Sequence, residues 1–454
     1  MQDQTEQTRE RIEWVRKALA QGEDDCSLEA LIAELHPADL AEIIDGLDED
    51  AGVDFFGRIP PPLRAETLSE VDEEAWAGLL EGVDEQGIQA LFGALELDDA
   101  ADILAELSQD DAREILSRIE PEESREIAAL MRYDEESAGG VMTTELVRVP
   151  ARLTADEAIV ALRHQGREVR DFHTIYVVDD SGNLLGTLGL QNLLVSDGEA
   201  RVETIMSTDV VRVLPTVDQE EVARLFAKYN LVSIPVVDSD GRLLGRITVD
   251  DVIDIIEAET TEDIFRQSGV DEEEETFATP LEIFRSRAPW LLITLMTSGL
   301  GALVIAQFED TIRRVAFIAV FMPVVAAMAG NTAVQATTVA VRRLALAKGH
   351  SGRPARSLLR ELAAGFLIGG LISVLLGATA GVWQGSASAG LVVGGSMWAA
   401  MSLGATWGAA FPLLLDRLGF DPAVSSSVFL TTMTDMISFL LVLTSATYFL
   451  TRLL

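Results

Sequence analysis

One carboxylate stands inside an otherwise uncharged apolar run. Asp435 lies within 428–450, in the string FLTTMTD with Thr431, Thr432 and Thr434. Thr431 and Asp435 are four residues apart, so they share a face if the run is helical. A second run begins at 315 and reads FMPVVAAMAGNTAVQATT over 321–338. Its Pro323 lacks a backbone donor and should disturb a helix. Gly330 permits close backbone approach. Asn331 and Gln335 are four apart and share a face. Neutral oxygens with a single carboxylate suit a small hydrated divalent cation, because Mg2+ takes hard oxygen ligands and keeps several of its waters. Residue types alone do not separate Mg2+ from Mn2+ or Co2+. The competing reading is structural: Asp435 bonded to a neighbouring Thr or Asn, with Asn331 and Gln335 as polar contacts between packed helices. A carboxylate in hydrocarbon is expensive, so Asp435 should face water or protein.

These residues need elements to position them. Five apolar runs, 290–308, 315–335, 362–382, 391–415 and 428–450, are each long enough to cross a hydrocarbon core of ~30 Å. They predict an all-α membrane domain of five spans over 281–454. Arg285 and Arg287 precede the first span. Arg342, Arg343, Lys348, Arg353, Arg356 and Arg360 lie between the second and third. Alternating spans put both groups on one side, which short-loop Arg and Lys mark as cytoplasmic. The reading is a multi-pass inner-membrane protein with its N-terminus in the cytoplasm and its C-terminus outside.

Charge is unevenly divided over the 454 residues. The net charge is −40. Residues 1–280 hold 67 acidic and 22 basic residues, against 7 and 12 in 281–454, so −45 faces +5. This excludes one well-mixed soluble globule. It also excludes a nonspecific nucleic-acid binder, which needs a basic footprint. Cys26 is alone, so there is neither an intramolecular disulfide nor a cysteine zinc cluster. MQDQTEQTRERIEW lacks the basic start and apolar run of a secretory signal. His36, His164, His173 and His350 are scattered, and no P-loop, HExxH or GxSxG occurs, so no enzyme is expected. Lysine occurs only at 17, 228 and 348. Together with the low pI this suggests a salt-adapted surface on which part of the acid only solvates.

The acidic part reads as a helical domain, a duplicated α/β pair and a connector. Residues 1–135 repeat apolar residues at helical spacing and suggest a small superhelix of stacked helices. Residues 136–199 and 200–259 are two copies of one pattern, IYVVDDSGNLLG in the first and IPVVDSDGRLLG in the second. The duplication looks like a tandem cystathionine-beta-synthase-type (CBS) pair. Such pairs often bind adenine nucleotides, and Thr248 and Asp251 stand on the phosphate side of copy two, where copy one has Gly189 and Gln191. ATP therefore stays an open ligand; equally, Thr248 caps the following helix. Residues 260–280 connect to the spans and include DEEEE at 271–275. Like-charged faces of this density repel unless divalent cations bridge them.

These residues resemble the MgtE family of magnesium channels and transporters. The resemblance rests on LHPADLAEII (35–44), DEESAGGVMTTE (134–145), PVVAAMAGNTAVQATTVAVRRLALAKG (323–349) and FDPAVSSSVFLTTMTD (420–435). The third string has the family's Pro, six residues, Gly-Asn, three residues, Gln. It implies a homodimer with one central pore, lined by Asn331 and flanked by Asp435 from each chain. Gly330, Gln335 and Thr431 are further pore candidates. It implies that 260–280 is a plug helix, and that cytosolic Mg2+ closes the pore by binding between acidic domains. Sensor candidates are Asp250, Asp254, Glu257, Glu259 and Asp263; the first three fall at intervals of four and three on one helix face. Two other classes stay open. A cation-coupled secondary transporter would show inverted repeats, which five unpaired spans do not fit easily. A membrane-anchored CBS nucleotide sensor without transport leaves Asp435 and Asn331 unexplained.

Overall fold

The computed structural model describes residues 2–21, 25–81, 83–166, 169, 172–268, 280–347, 354–418, 420 and 426–450. The chain divides into two compact units, Met1–Glu257 and Ala258–Leu454.

The first unit opens with Gln2–Gln21 and a series of short helices from Asp25–Glu34 to Pro121–Leu130. Local chemistry sets their starts. Pro37, Pro61 and Pro121 occupy first helical positions, where a missing N–H is harmless. Asp48, Asp84 and Ser108 cap others by accepting from the backbone N–H of Ala51, Gly87 and Asp111. Each of the helices after the first is too short to stand alone and packs against its neighbours. Two of them, α1 (Leu97–Glu106) and α2 (Pro121–Leu130), pack against each other. One apolar cluster runs through this domain and into the second CBS copy, from Val15 to Ile255.

The duplication is visible in the backbone. In copy one, β1 (Arg148–Pro150) pairs parallel with β2 (Thr174–Val178), which pairs antiparallel with β3 (Leu184–Gly189). In copy two, β4 (Ser233–Val237) pairs antiparallel with β5 (Leu243–Thr248), and a single parallel bridge, Val213 to Val236, takes the place of the first strand. Both hairpins turn the same way. Asp179 and Asp238 each accept from the backbone N–H two and four residues on. Gly182 and Gly241 sit at φ of 86° and 87°, where only glycine is comfortable. The copies also exchange edges. Thr143, ahead of β1 in copy one, bridges to Arg246 of β5, and Ser207, ahead of β4 in copy two, bridges to Thr187 of β3. Neither copy completes its sheet alone.

After β5 the chain enters α3 (Val249–Ser268). The sequence places a boundary at 259/260. The helix runs through it without a break, because no Gly or Pro interrupts 249–268. The start of the connector is therefore helical, as its composition suggests.

The second unit holds α4 (Pro280–Ala306), α5 (Ile318–Ala347), α6 (Pro354–Gln384), α7 (Ala387–Leu418) and α8 (Ser426–Ser445). Each contains a stretch long and apolar enough to cross a membrane, as the hydropathy of the sequence predicts. Small residues let the helix backbones touch. A Cβ on Gly377 would lie 2.8 Å from the carbonyl oxygen of Gly390, and one on Gly394 2.8 Å from that of Ser373, which joins α6 to α7. The core of this unit gathers Phe321, Met322 and Val325 of α5, Val393, Met397 and Met401 of α7, and Val442 and Leu443 of α8.

Candidate functional site

Two groups of polar residues stand out, one in each unit.

In the span unit, α5 packs against both α7 and α8. Gly330 lies against α8, where its absent side chain leaves room 3.8 Å from Thr434 Oγ1. Thr434 is buried and its hydroxyl donates to the carbonyls of Leu430 and Thr431. This contact brings the helices together where both carry their polar residues, since Asn331 follows Gly330 and Asp435 follows Thr434. Asn331, Gln335 and Thr431 are exposed on the single chain, and Asp435 is half-buried. Asp435 makes no hydrogen bond or ion pair among the described residues. Thr432 is occupied elsewhere, donating to Thr297 Oγ1 of α4 at 3.0 Å. The structural reading of Asp435, a carboxylate bonded to a neighbouring Thr or Asn, finds no bond to support it. An unpaired carboxylate and exposed amides at the middle of apolar helices demand water, a cation or another chain beside them.

In the first unit, α1 places Asp98, Asp99 and Asp102 beside Asp251 of α3. Asp98 is only 7% exposed, and its Oδ1 has no hydrogen-bond partner among the described residues. Burial, helped by the charge of Asp251, pushes its carboxyl well above the usual range. Burial, with Glu96, Asp251, Asp102 and Glu70, pushes Asp99 up to about 7. Burial, with Glu135, Glu73, Asp251 and Glu106, pushes Asp102 up to about 7. The charges that act most strongly on these three groups are all acidic. Asp254 is raised by burial and then by Glu70, Asp250 and Glu257.

Of the sensor candidates, Asp250, Asp254 and Glu257 share α3 as expected and are exposed. Glu259 lies on the same helix. The side chain of Asp263 and the run 271–275 lie outside the described residues. The sequence misses Asp98, Asp99 and Asp102; a signal was available, since LDDAAD puts carboxylates on the apolar face of a short helix. Asp251 has a different setting from the one its sequence position suggests. Its Oδ2 accepts from Thr248 N–H at 3.1 Å and from Thr248 Oγ1 at 2.5 Å, which closes the first turn of α3. Burial raises Asp251, and these bonds partly offset it. Matching β3 to β5 makes Asn192, rather than Gln191, the copy-one counterpart of Asp251.

No three His, Cys, Asp or Glu side chains among the described residues form a ready cage for a bare metal ion. The acidic cluster instead suits a cation that keeps its water, since carboxylates then reach it through the hydration shell. Asp98 Oδ1, buried and without a donor, is the group such a cation would satisfy.

Comparison with known proteins finds family profiles in both units. The MgtE divalent cation transporter profile matches 322–445, the MgtE intracellular N domain profile 35–136, and the CBS domain profile 138–197 and 202–258. The magnesium transporter MgtE of Thermus thermophilus is 36% identical over 437 residues, covering 95% of this chain and 97% of its own. The chain belongs to the MgtE family. The Enterococcus faecalis magnesium transporter MgtE is 35% identical over 320 residues, 70% of each chain. The cytosolic domain of the Mg2+ channel MgtE solved in complex with ATP aligns with a TM-score of 0.51 and 37% identity, over 53% of this chain and 98% of that one. MgtE proteins are transporters rather than enzymes. The chain is accordingly a multi-pass membrane protein with an intracellular N-terminal domain.

Proposed function

We propose that this chain is a magnesium-selective channel that carries Mg2+ inward and is closed by cytosolic Mg2+. The carrying observation is Asp435, a lone mid-span carboxylate without a protein partner among the described residues, beside the Gly330–Asn331 segment of α5. Asn331, Gln335 and Thr431 would meet the hydrated ion through neutral oxygens, and Asp435 would supply the attracting charge. Their exposure on one chain supports a homodimer with the ion path between copies. The positive-inside pattern supports a C-terminus on the outer side.

The regulatory part rests on the first unit. Asp98, Asp99 and Asp102 on α1 and Asp251 and Asp254 on α3 repel one another when ionised. A divalent cation bound among them would hold the N-terminal domain against the second CBS copy, and its loss would free them to separate. Asp250, Glu257, Glu259 and Asp263 extend the same acidic run. Adenine nucleotide is a second ligand supported by the likeness to the ATP-bound cytosolic domain. Thr248 and Asp251 are tied into the cap of α3 and beside α1, so they are less suited to phosphate than their sequence position suggests.

Proteoliposomes test the transport reading. Entry of Mg2+ with no proton or sodium gradient, lost in Asp435→Asn, is expected of a channel. Flux that requires either gradient would instead mark a coupled transporter.

A further inference from the structure

The rotation of α5 about its own axis decides where Asn331 and Gln335 point, because successive residues sit ~100° apart on a helix. Three contacts with α7 set that rotation. A Cβ on Gly404 would lie 2.7 Å from the carbonyl oxygen of Ala329, and one on Gly408 would collide with that of Ala333. One turn further on, Thr337 Oγ1 donates to the carbonyl oxygen of Gly408 at 2.8 Å. Ala329, Ala333 and Thr337 therefore form one row on α5, four residues apart, lying along Gly404 and Gly408.

The contacts differ in kind. The glycine contacts are steric and permit sliding along the row. The Thr337 bond is directional and buried, with the side chain 4% exposed. Thr332 and Thr338 on the same helix behave otherwise, returning their protons to their own helix at Met328 O and Val334 O. Thr337 alone of the three reaches across to another backbone. Asn331 and Gln335 lie two residues on from Ala329 and Ala333, which is ~200° around the helix. The row and the amides are on opposite sides of α5, so any turn of the row swings the amides directly.

We propose that Thr337 is a positioning residue for the ion path: its bond to Gly408 locks the rotation of α5 that presents Asn331 and Gln335 to the hydrated cation. This rests on the channel reading above. The ion is recognised with its water shell, so the amides must hold their spacing within the reach of one hydrogen bond.

The test uses the full chain in proteoliposomes, with Thr337→Val, Thr337→Ser and Asp435→Asn. Two quantities are read: the ratio of Mg2+ to Mn2+ flux, and block by hexaamminecobalt(III), whose fixed shell imitates hydrated Mg2+. Thr337→Val should lower the flux ratio and weaken block by roughly three- to tenfold, the range expected from losing one interhelical hydrogen bond in a membrane. Thr337→Ser, which keeps the donor, should restore both. A Thr337→Val protein with parental ratio and block overturns the proposal. So does one that loses all fluxes by a common factor with block unchanged, since that is a merely structural role. If Thr337→Val does not fold, Thr337→Cys, which keeps the size with a weaker donor, is read by the same criteria. Asp435→Asn separates the two levels. Parental flux in that variant overturns the channel reading and this proposal with it; lost flux there beside a parental Thr337→Val overturns only the role of Thr337.

Discussion

The span unit and the acidic cluster of the first unit are both proposed to serve a divalent cation, and they are built in opposite ways. The spans offer one carboxylate, Asp435, among neutral oxygens, so attraction is weak enough for an ion to leave. The cluster crowds Asp98, Asp99, Asp102 and Asp251 together, and the charges that act most strongly on the first three are acidic. Its members are poorly placed until a cation or protons arrive. A site meant for passage spends little charge, and one meant for sensing stores repulsion that a ligand relieves. The difference also separates what a mutation should do in each place.

The largest effect is expected at Asp435. Replacing it with Ala should reduce Mg2+ flux by roughly 10- to 100-fold, the worth of a charge-assisted contact, while the cytosolic response to Mg2+ persists. Mg2+-sensitive dye inside proteoliposomes would measure it, and normal flux in a well-folded variant would remove Asp435 from the path. Gly408→Ala comes next. Its Cβ has no space against Ala333, so α5 must move, at ~1–3 kcal/mol for overpacking. A lower melting temperature together with a severalfold loss of flux is expected; an unaltered protein would mean that α5 and α7 are looser than they look.

A smaller change, opposite in sign, is expected in the cluster. Asp98→Asn keeps an oxygen at the orphan position but cannot ionise, so it relieves the repulsion from Asp251 and Asp99. Without Mg2+ the first unit should resist limited proteolysis better than the parent. The Mg2+ concentration that half-closes the channel should rise several-fold. Parental behaviour in both assays would make the cluster a solvated surface.

The mildest expectation concerns pH. Asp99 and Asp102 hold their protons up to about 7 in the folded chain, whereas an unfolded Asp releases its proton near ~3.9. Between those values the folded state binds more protons, so stability falls as pH rises through that window and the loss is complete above 7. The groups facing them are Glu70, Glu73, Glu96, Glu106, Glu135 and Asp251, all acidic. In EDTA, protease resistance of residues 1–257 within the full chain should therefore decline from pH 5 to pH 8. Millimolar Mg2+ should flatten that slope, because the cation replaces the protons.

Legibility in the sequence follows the range of the interaction. The five spans were legible because hydropathy is a property of consecutive residues. The CBS pair was legible because it repeats, down to Asp179 and Asp238 in matching turns. Asn331 and Asp435 stand out in the sequence because polar groups are conspicuous in apolar runs, and their role in the ion path is a proposal. Asp98 was hidden among 74 acidic residues, and only the packing of α1 against α3 distinguishes it from solvated neighbours. Thr337 looked like any other span threonine until α7 supplied an acceptor. The continuity of α3 across 259/260 was harder to read, since a change in composition does not break a helix without Gly or Pro.

One ion is proposed both to cross the spans and to close them from the cytosolic side. The most direct measurement is Mg2+ flux through the purified full chain in liposomes, with the side bearing residues 1–257 either free of Mg2+ or loaded to millimolar Mg2+. The account predicts flux in the first condition and its collapse in the second. Flux indifferent to that loading would contradict it, leaving a pore whose acidic domain does not sense what passes.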